Sequence, residues 1–169
     1  TFILQLNHYN TNFQSKTFPI IVVSDNVSNA PNLGSLFRIC DAFGVEQFIL
    51  CGSQISLGRK MTKTSRATEN VVKHKIHENI NEVISELKSN KYYIVALEIT
   101  SESKPLQNVC FPANQPIALF IGDENFGVSE HILTLCDIVI HIQMYGQNSS
   151  MNVVQATNIA LYEITKQLI

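Results

Sequence analysis

Long apolar runs are missing from this chain of 169 residues; the longest, such as Ile20 to Val23 and Ile117 to Ile121, are far too short to cross a bilayer. No basic-then-apolar segment opens it, so neither membrane insertion nor export is expected, and a cytoplasmic location follows. Glycine and proline are scarce, at seven and five positions, and charged residues make up only 15% against 45% apolar, which excludes disordered and fibrous chains. Cysteine is scarce too. Cys40, Cys51, Cys110 and Cys136 form no C-x-x-C pair and are expected to be reduced, buried, small apolar residues. The one close histidine pair, His74 and His77, has no cysteine near it, so no metal site is expected. Charge of one sign is also lacking: a net −2 does not by itself mark a nucleic-acid binder.

What is present is a local concentration of charge. Six of the twelve Lys and Arg residues, Arg59, Lys60, Lys63, Arg66, Lys73 and Lys75, fall between positions 59 and 75, where Glu69 is the only acid. Interleaved Thr62, Thr64, Ser65, Thr68 and Asn70 add neutral donors, a mixture suited to phosphate oxygens. The plain alternative is a solvated basic loop.

Apolar, β-branched Pro19 to Ser24 reads as a strand buried on both faces of a parallel sheet. Further strands are expected at Gln47 to Leu50, Val71 to Ile76, Tyr92 to Leu97, Ile117 to Ile121 and Ile138 to Ile142. Helical spacing places helices from Leu36 to Phe43, ending at Gly44, from an Asn79 cap to about Lys88, from near Ser129, and from Asn152 to Leu168. Alternating strands and helices predict an α/β fold, a mostly parallel sheet sandwiched by helices. Residues 1–17 read as a polar, irregular N-terminal arm before a domain of residues 18–169.

In such sheets ligands gather at the carboxyl ends of the strands. The loop Asn26 to Arg38, NVSNAPNLGSLFR, lacks the G-x-G-x-x-G of a dinucleotide site, and GDENFG at Gly122 to Gly127 lacks the lysine of a phosphate loop. Met144 to Asn152, MYGQNSSMN, opens the last helix with polar groups. Singly, each is explained by turns and caps.

Their joint order is more specific. N-x-x-N-x-G-x-x-x-R, then G-x-E-x-x-G after a late strand, then I-x-M-x-G-x-x-x-S-x-N-V before a terminal helix resembles the three motifs of the SpoU (TrmH-like) branch of the SPOUT RNA methyltransferases. The resemblance implies S-adenosyl-L-methionine-dependent methylation of RNA ribose 2′-hydroxyls by a homodimer whose fold ends in a deep trefoil knot. Motif positions imply catalytic roles for Asn32, Arg38, Glu124, Ser150 and Asn152, and cofactor contacts from Leu97, Gly122, Ile142, Met144 and Met151. Arg59, Lys60, Lys63 and Arg66 are the expected RNA contacts. An arginine with a pKa above about 12 is a poor base, so Arg38 is expected to grip phosphate and stabilise a developing alkoxide. In the third motif Gln143, Met151 and Val154 replace the usual Pro, Leu and Ser. The expected substrate is tRNA, including a D-loop guanosine; rRNA, or a non-catalytic RNA-binding role for the same fold, are the alternatives.

Overall fold

The computed structural model describes residues 1–169. Strand β1 spans Phe18–Asp25 and buries every residue except Pro19, as its unbroken apolar run requires. Helix α1, Ala30–Ala42, begins earlier than the apolar spacing from Leu36 indicates. The Asn29 side chain accepts the Asn32 N–H, and Pro31 occupies the first turn, where a missing donor costs nothing. Most of the stretch read as a loop from Asn26 to Arg38 is therefore helix.

β2 (Val45–Cys51) is followed by α2 (Arg59–Ser65), a 3-10 turn (Thr68–Asn70) and β3 (His74–His77). The strand expected from Val71 to Ile76 is shortened because the N–H groups of Val71 and Val72 both donate to the Thr68 carbonyl and complete the 3-10 turn. The basic segment is thus not a loop but a helix, a turn and an edge strand. Helix α3 (Ile80–Ser89), capped by Asn79 as expected, leads to β4 (Tyr93–Leu97) and an unforeseen two-residue β5 (Lys104–Pro105). Strand β6 (Ile117–Gly122), α4 (Glu130–Leu135), β7 (Ile138–His141) and α5 (Val153–Leu168) complete the chain.

All seven strands pair in parallel in the order β3-β2-β1-β6-β4-β7-β5. Alternate residues of β1 then serve two cores. Ile20 and Val22 face Leu33, Phe37 and Leu161 of α1 and α5, while Ile21 and Val23 face Ile84 of α3 and Ile132 of α4. Because the strands are parallel, Asp25, Cys51, Leu97, Gly122 and His141 all end at one edge of the sheet.

One expectation needs correction. Cys40 and Cys51 are buried and Cys136 is half-buried, but Cys110 is exposed, because the extended segment before β6 turns its neighbours Val109 and Phe111 inward instead. Residues 1–17 form no strand or helix, and Phe2, Tyr9 and Phe13 among them are exposed.

Candidate active site

Three of the five catalytic candidates meet at the carboxyl edge of the sheet. The Asn152 side-chain amide donates to Glu124 Oε1 at 2.6 Å and to Asn32 Oδ1 at 3.3 Å, and the Asn32 amide donates to the same Glu124 oxygen at 3.3 Å. Partners 92 and 120 positions apart in sequence are closed into a triangle. Asn152 is fully committed: its Oδ1 caps α5 by accepting the N–H groups of Val154 and Gln155, and both amide hydrogens go to the triangle. It braces the site and has no valence left for a ribose or phosphate. Glu124 is exposed, and its Oε2 has no hydrogen-bond partner in the chain.

Beside the triangle lies a cavity of about 550 Å³, within the range of small-molecule sites. Leu97, Gly122, Ile142, Met144 and Met151 all line it. Glu98, Asp123 and Glu124 contribute carboxylates to its lining; the one basic residue there is His141, whose Nδ1 pairs with Ser103 Oγ, and no Lys or Arg is present. Gln143, where proline is usual, donates its amide to the Met144 carbonyl at 3.2 Å and so bridges the turn locally. Ser150 lies on the same cavity; its N–H donates to Asn148 Oδ1, and its hydroxyl has no partner in the chain.

Arg38 is not brought to this cluster. It is exposed on α1, with no ion pair and no place on the cavity wall. Six residues beyond Asn32, it stands about 9 Å further along the helix axis and on a different face. Arg59, Lys60, Lys63 and Arg66 are likewise exposed and free of ion pairs. Their helix is held close to the triangle. Thr64 Oγ1 donates to the Pro31 carbonyl of α1 at 3.0 Å, and a Cβ on Gly34 would lie 2.2 Å from the Met61 carbonyl oxygen. Only glycine lets the two backbones approach so closely.

Sequence reasoning missed the residues that hold the Gly122 to Gly127 loop. Asp25, buried at the end of β1, accepts the N–H of Ser129 at 2.8 Å and also its hydroxyl. Glu98 accepts the Val128 N–H at 3.1 Å through Oε2 and the Ile99 N–H at 2.9 Å through Oε1. Gly127 has φ +68°, and a Cβ there would sit 2.1 Å from Glu98 Oε2, so the carboxylate and the glycine require one another. An acid one residue past a strand end was the available signal.

Comparison with known proteins identifies the family and the fold. Over 151 residues the chain is 33% identical to the tRNA (guanosine(18)-2′-O)-methyltransferase of Aquifex aeolicus, covering 88% of this chain and 69% of that protein. The crystal structure of the A. aeolicus TrmH/SpoU tRNA modifying enzyme superposes with a TM-score of 0.79 at 32% identity, over 88% of this chain and 75% of that one. An AdoMet-bound rRNA methyltransferase from Sinorhizobium meliloti shares the fold, with a TM-score of 0.83 at 22% identity, over 92% and 58% of the two chains. A family model described as SpoU rRNA Methylase matches residues 19–162, from the start of β1 into the second half of α5. That span contains the whole triangle and every wall of the cavity, and the chain belongs to the SpoU rRNA methylase family.

Proposed function

We propose that the chain is an S-adenosyl-L-methionine-dependent methyltransferase acting on a ribose 2′-hydroxyl of RNA, with tRNA as the substrate. The observation that carries the reading is Glu124, whose Oε1 is held by two amides and whose Oε2 is left open at the rim of the cavity. The cavity fits the cofactor: apolar Leu97, Ile142 and Met144 suit an aromatic ring and its ribose, and three carboxylates with no Lys or Arg beside them suit a ligand that carries net positive charge. When bound, S-adenosylmethionine would supply an electrophilic methyl group, whose carbon–sulfur bond breaks as S-adenosylhomocysteine leaves as a neutral thioether.

The chain's own residues then have separable tasks. Glu124 Oε2 accepts the hydrogen bond of the ribose hydroxyl, orients its oxygen and takes the proton as the oxygen–carbon bond forms. Asn32 and Asn152 keep that carboxylate fixed by donating to its other oxygen. The free Ser150 hydroxyl is available to the sugar or its phosphate. The reading includes the knotted C-terminal threading of the family and a homodimer in which Arg38, turned away from its own triangle, serves the partner's site. There it grips a phosphate and stabilises the developing negative charge on the ribose oxygen. Mixing Arg38→Ala with Glu124→Gln tests this; restored transfer in the mixture is expected, and two variants that stay inactive together would sink the shared site.

The four exposed cations of α2 and its C-terminal cap, at 59, 60, 63 and 66, are proposed to track the RNA backbone. Reversing Lys63 and Arg66 to Glu should weaken RNA binding at low salt and reduce the salt slope by about two. The decisive experiment is labelled methyl transfer to separate unmodified tRNA and rRNA pools, followed by nucleoside digestion. A 2′-O-methylated nucleoside from tRNA is the expected product. Label in rRNA alone overturns the substrate, and no label in either pool supports a non-catalytic binder.

A further inference from the structure

Phe126 is 90% exposed, and it lines the cavity. An exposed apolar side chain alone carries no meaning, but this one is held in place by an unusually tied loop. The Gly127 N–H donates to the Asp123 carbonyl at 2.7 Å, and Asp123 Oδ2 accepts the N–H groups of Asn125 at 2.9 Å and Phe126 at 3.2 Å. Behind the turn, Glu98 and Asp25 hold Val128 and Ser129. The ring is therefore presented to solvent by a braced turn.

Its position relative to the chemistry gives the exposure a use. Phe126 follows Glu124 by two residues in the same tight turn, so the flat apolar ring and the open carboxylate oxygen share one rim of one cavity. The proposed role of that oxygen is to receive a ribose 2′-hydroxyl, and the nucleobase hangs from the adjacent sugar carbon. A base whose sugar is engaged at Glu124 must lie close to this rim, and stripped of its stacking neighbours it exposes a π-face that water solvates poorly. Aromatic side chains meet unstacked RNA bases in this way. The other strongly exposed aromatic near the site, Tyr145, does not line the cavity, and the Gln107 amide donates to its hydroxyl.

We propose that Phe126 is the stacking platform for the base of the nucleotide being methylated, a specificity-determining residue that selects a target already unstacked from its neighbours. The inference rests on the RNA 2′-O-methyltransferase reading above. It predicts that Phe126→Ala raises the KM for RNA about tenfold, that Phe126→Tyr restores it, and that Phe126→Leu, apolar but without a π-face, does not.

The test measures steady-state methyl transfer to unmodified tRNA for the intact protein and the three variants, S-adenosylhomocysteine affinity by calorimetry, and oligomeric state by sedimentation. The expected result is a KM effect confined to RNA, with S-adenosylhomocysteine affinity and oligomeric state unchanged. Leu restoring what Ala loses, or Ala altering the oligomeric state, overturns stacking in favour of apolar cover by a second copy of the chain. Weakened S-adenosylhomocysteine binding overturns it in favour of a cofactor wall. An Ala variant with unaltered KM overturns the stacking while leaving the enzyme intact, whereas an intact protein that methylates no RNA takes down the underlying reading as well.

Discussion

The amino ends of α1 and α5 solve the same problem with different economies. Each helix opens with an asparagine cap and each delivers an asparagine amide to Glu124. In α1 the tasks are divided: Asn29 caps, and Asn32, one turn on, enters the triangle. In α5 a single residue, Asn152, does both. Where the tasks are divided, stability and activity can change independently; where they are fused, any change at that position alters the helix and the site together.

Asn152→Ala should therefore have the largest combined effect. Loss of the cap costs about 1 kcal/mol, and loss of the bonds to Asn32 and Glu124 adds a similar amount. Methyl transfer should fall by at least about a hundredfold, since the carboxylate loses its shortest brace. Thermal unfolding and single-turnover transfer on the same sample read both consequences, and a variant that lost one without the other would break the comparison. Asn32→Ala should lower transfer about tenfold, with stability changed by less than about 1 kcal/mol, because its helix keeps its cap. Asn29→Ala should do the reverse: stability falls by about 1 kcal/mol, and transfer per folded molecule is nearly unchanged.

The smallest effect is a matter of thiol exposure, and it sharpens the distinction. Burial pushes the Cys40 thiol of α1 well above the ordinary range, and burial with help from Asp25 and Asp137 pushes Cys51 and Cys136 up to about 12. At pH 8 one thiol, Cys110, should react quickly with a disulfide reagent, and the other three should react as the fold opens. Asn29→Ala should accelerate labelling of Cys40 more than that of Cys136. Since folding raises these pKa values, the stability they contribute is fully present below the unfolded thiol value of 9.0 and is lost as pH climbs toward about 12. A denaturation midpoint that fell below pH 9 for this reason would contradict that sign.

Particular residues show how far the sequence alone could be read. The apolar run of β1 and the Asn79 and Asn152 caps are local signals, and the structure places them as expected. Asn29, Asn32 and Gly34 were visible as a motif, but their division into cap, brace and helix contact was not, because Gly34 is explained only by Met61 and Thr64 of α2. Asp25 and Glu98 escaped notice for the same physical reason. A carboxylate that holds a backbone N–H declares its partner only when the sheet has brought positions 25 and 129, or 98 and 128, together. Arg38 was legible as a residue to watch, yet its exposed placement on α1 follows from helix geometry that motif spacing does not express.

The triangle that joins positions 32, 124 and 152 also sets a clock on synthesis. A chain emerging amino end first presents Asn32 early and Glu124 much later, and the triangle is closed only when the start of α5 has been made. Until then the nascent polypeptide can display its basic segment, but Glu124 lacks the shorter of its two amide bonds. The arrangement proposed for catalysis is complete once α5 docks and its cap forms. The order of residues along the chain thus makes Asn152 the last corner of the triangle to be translated.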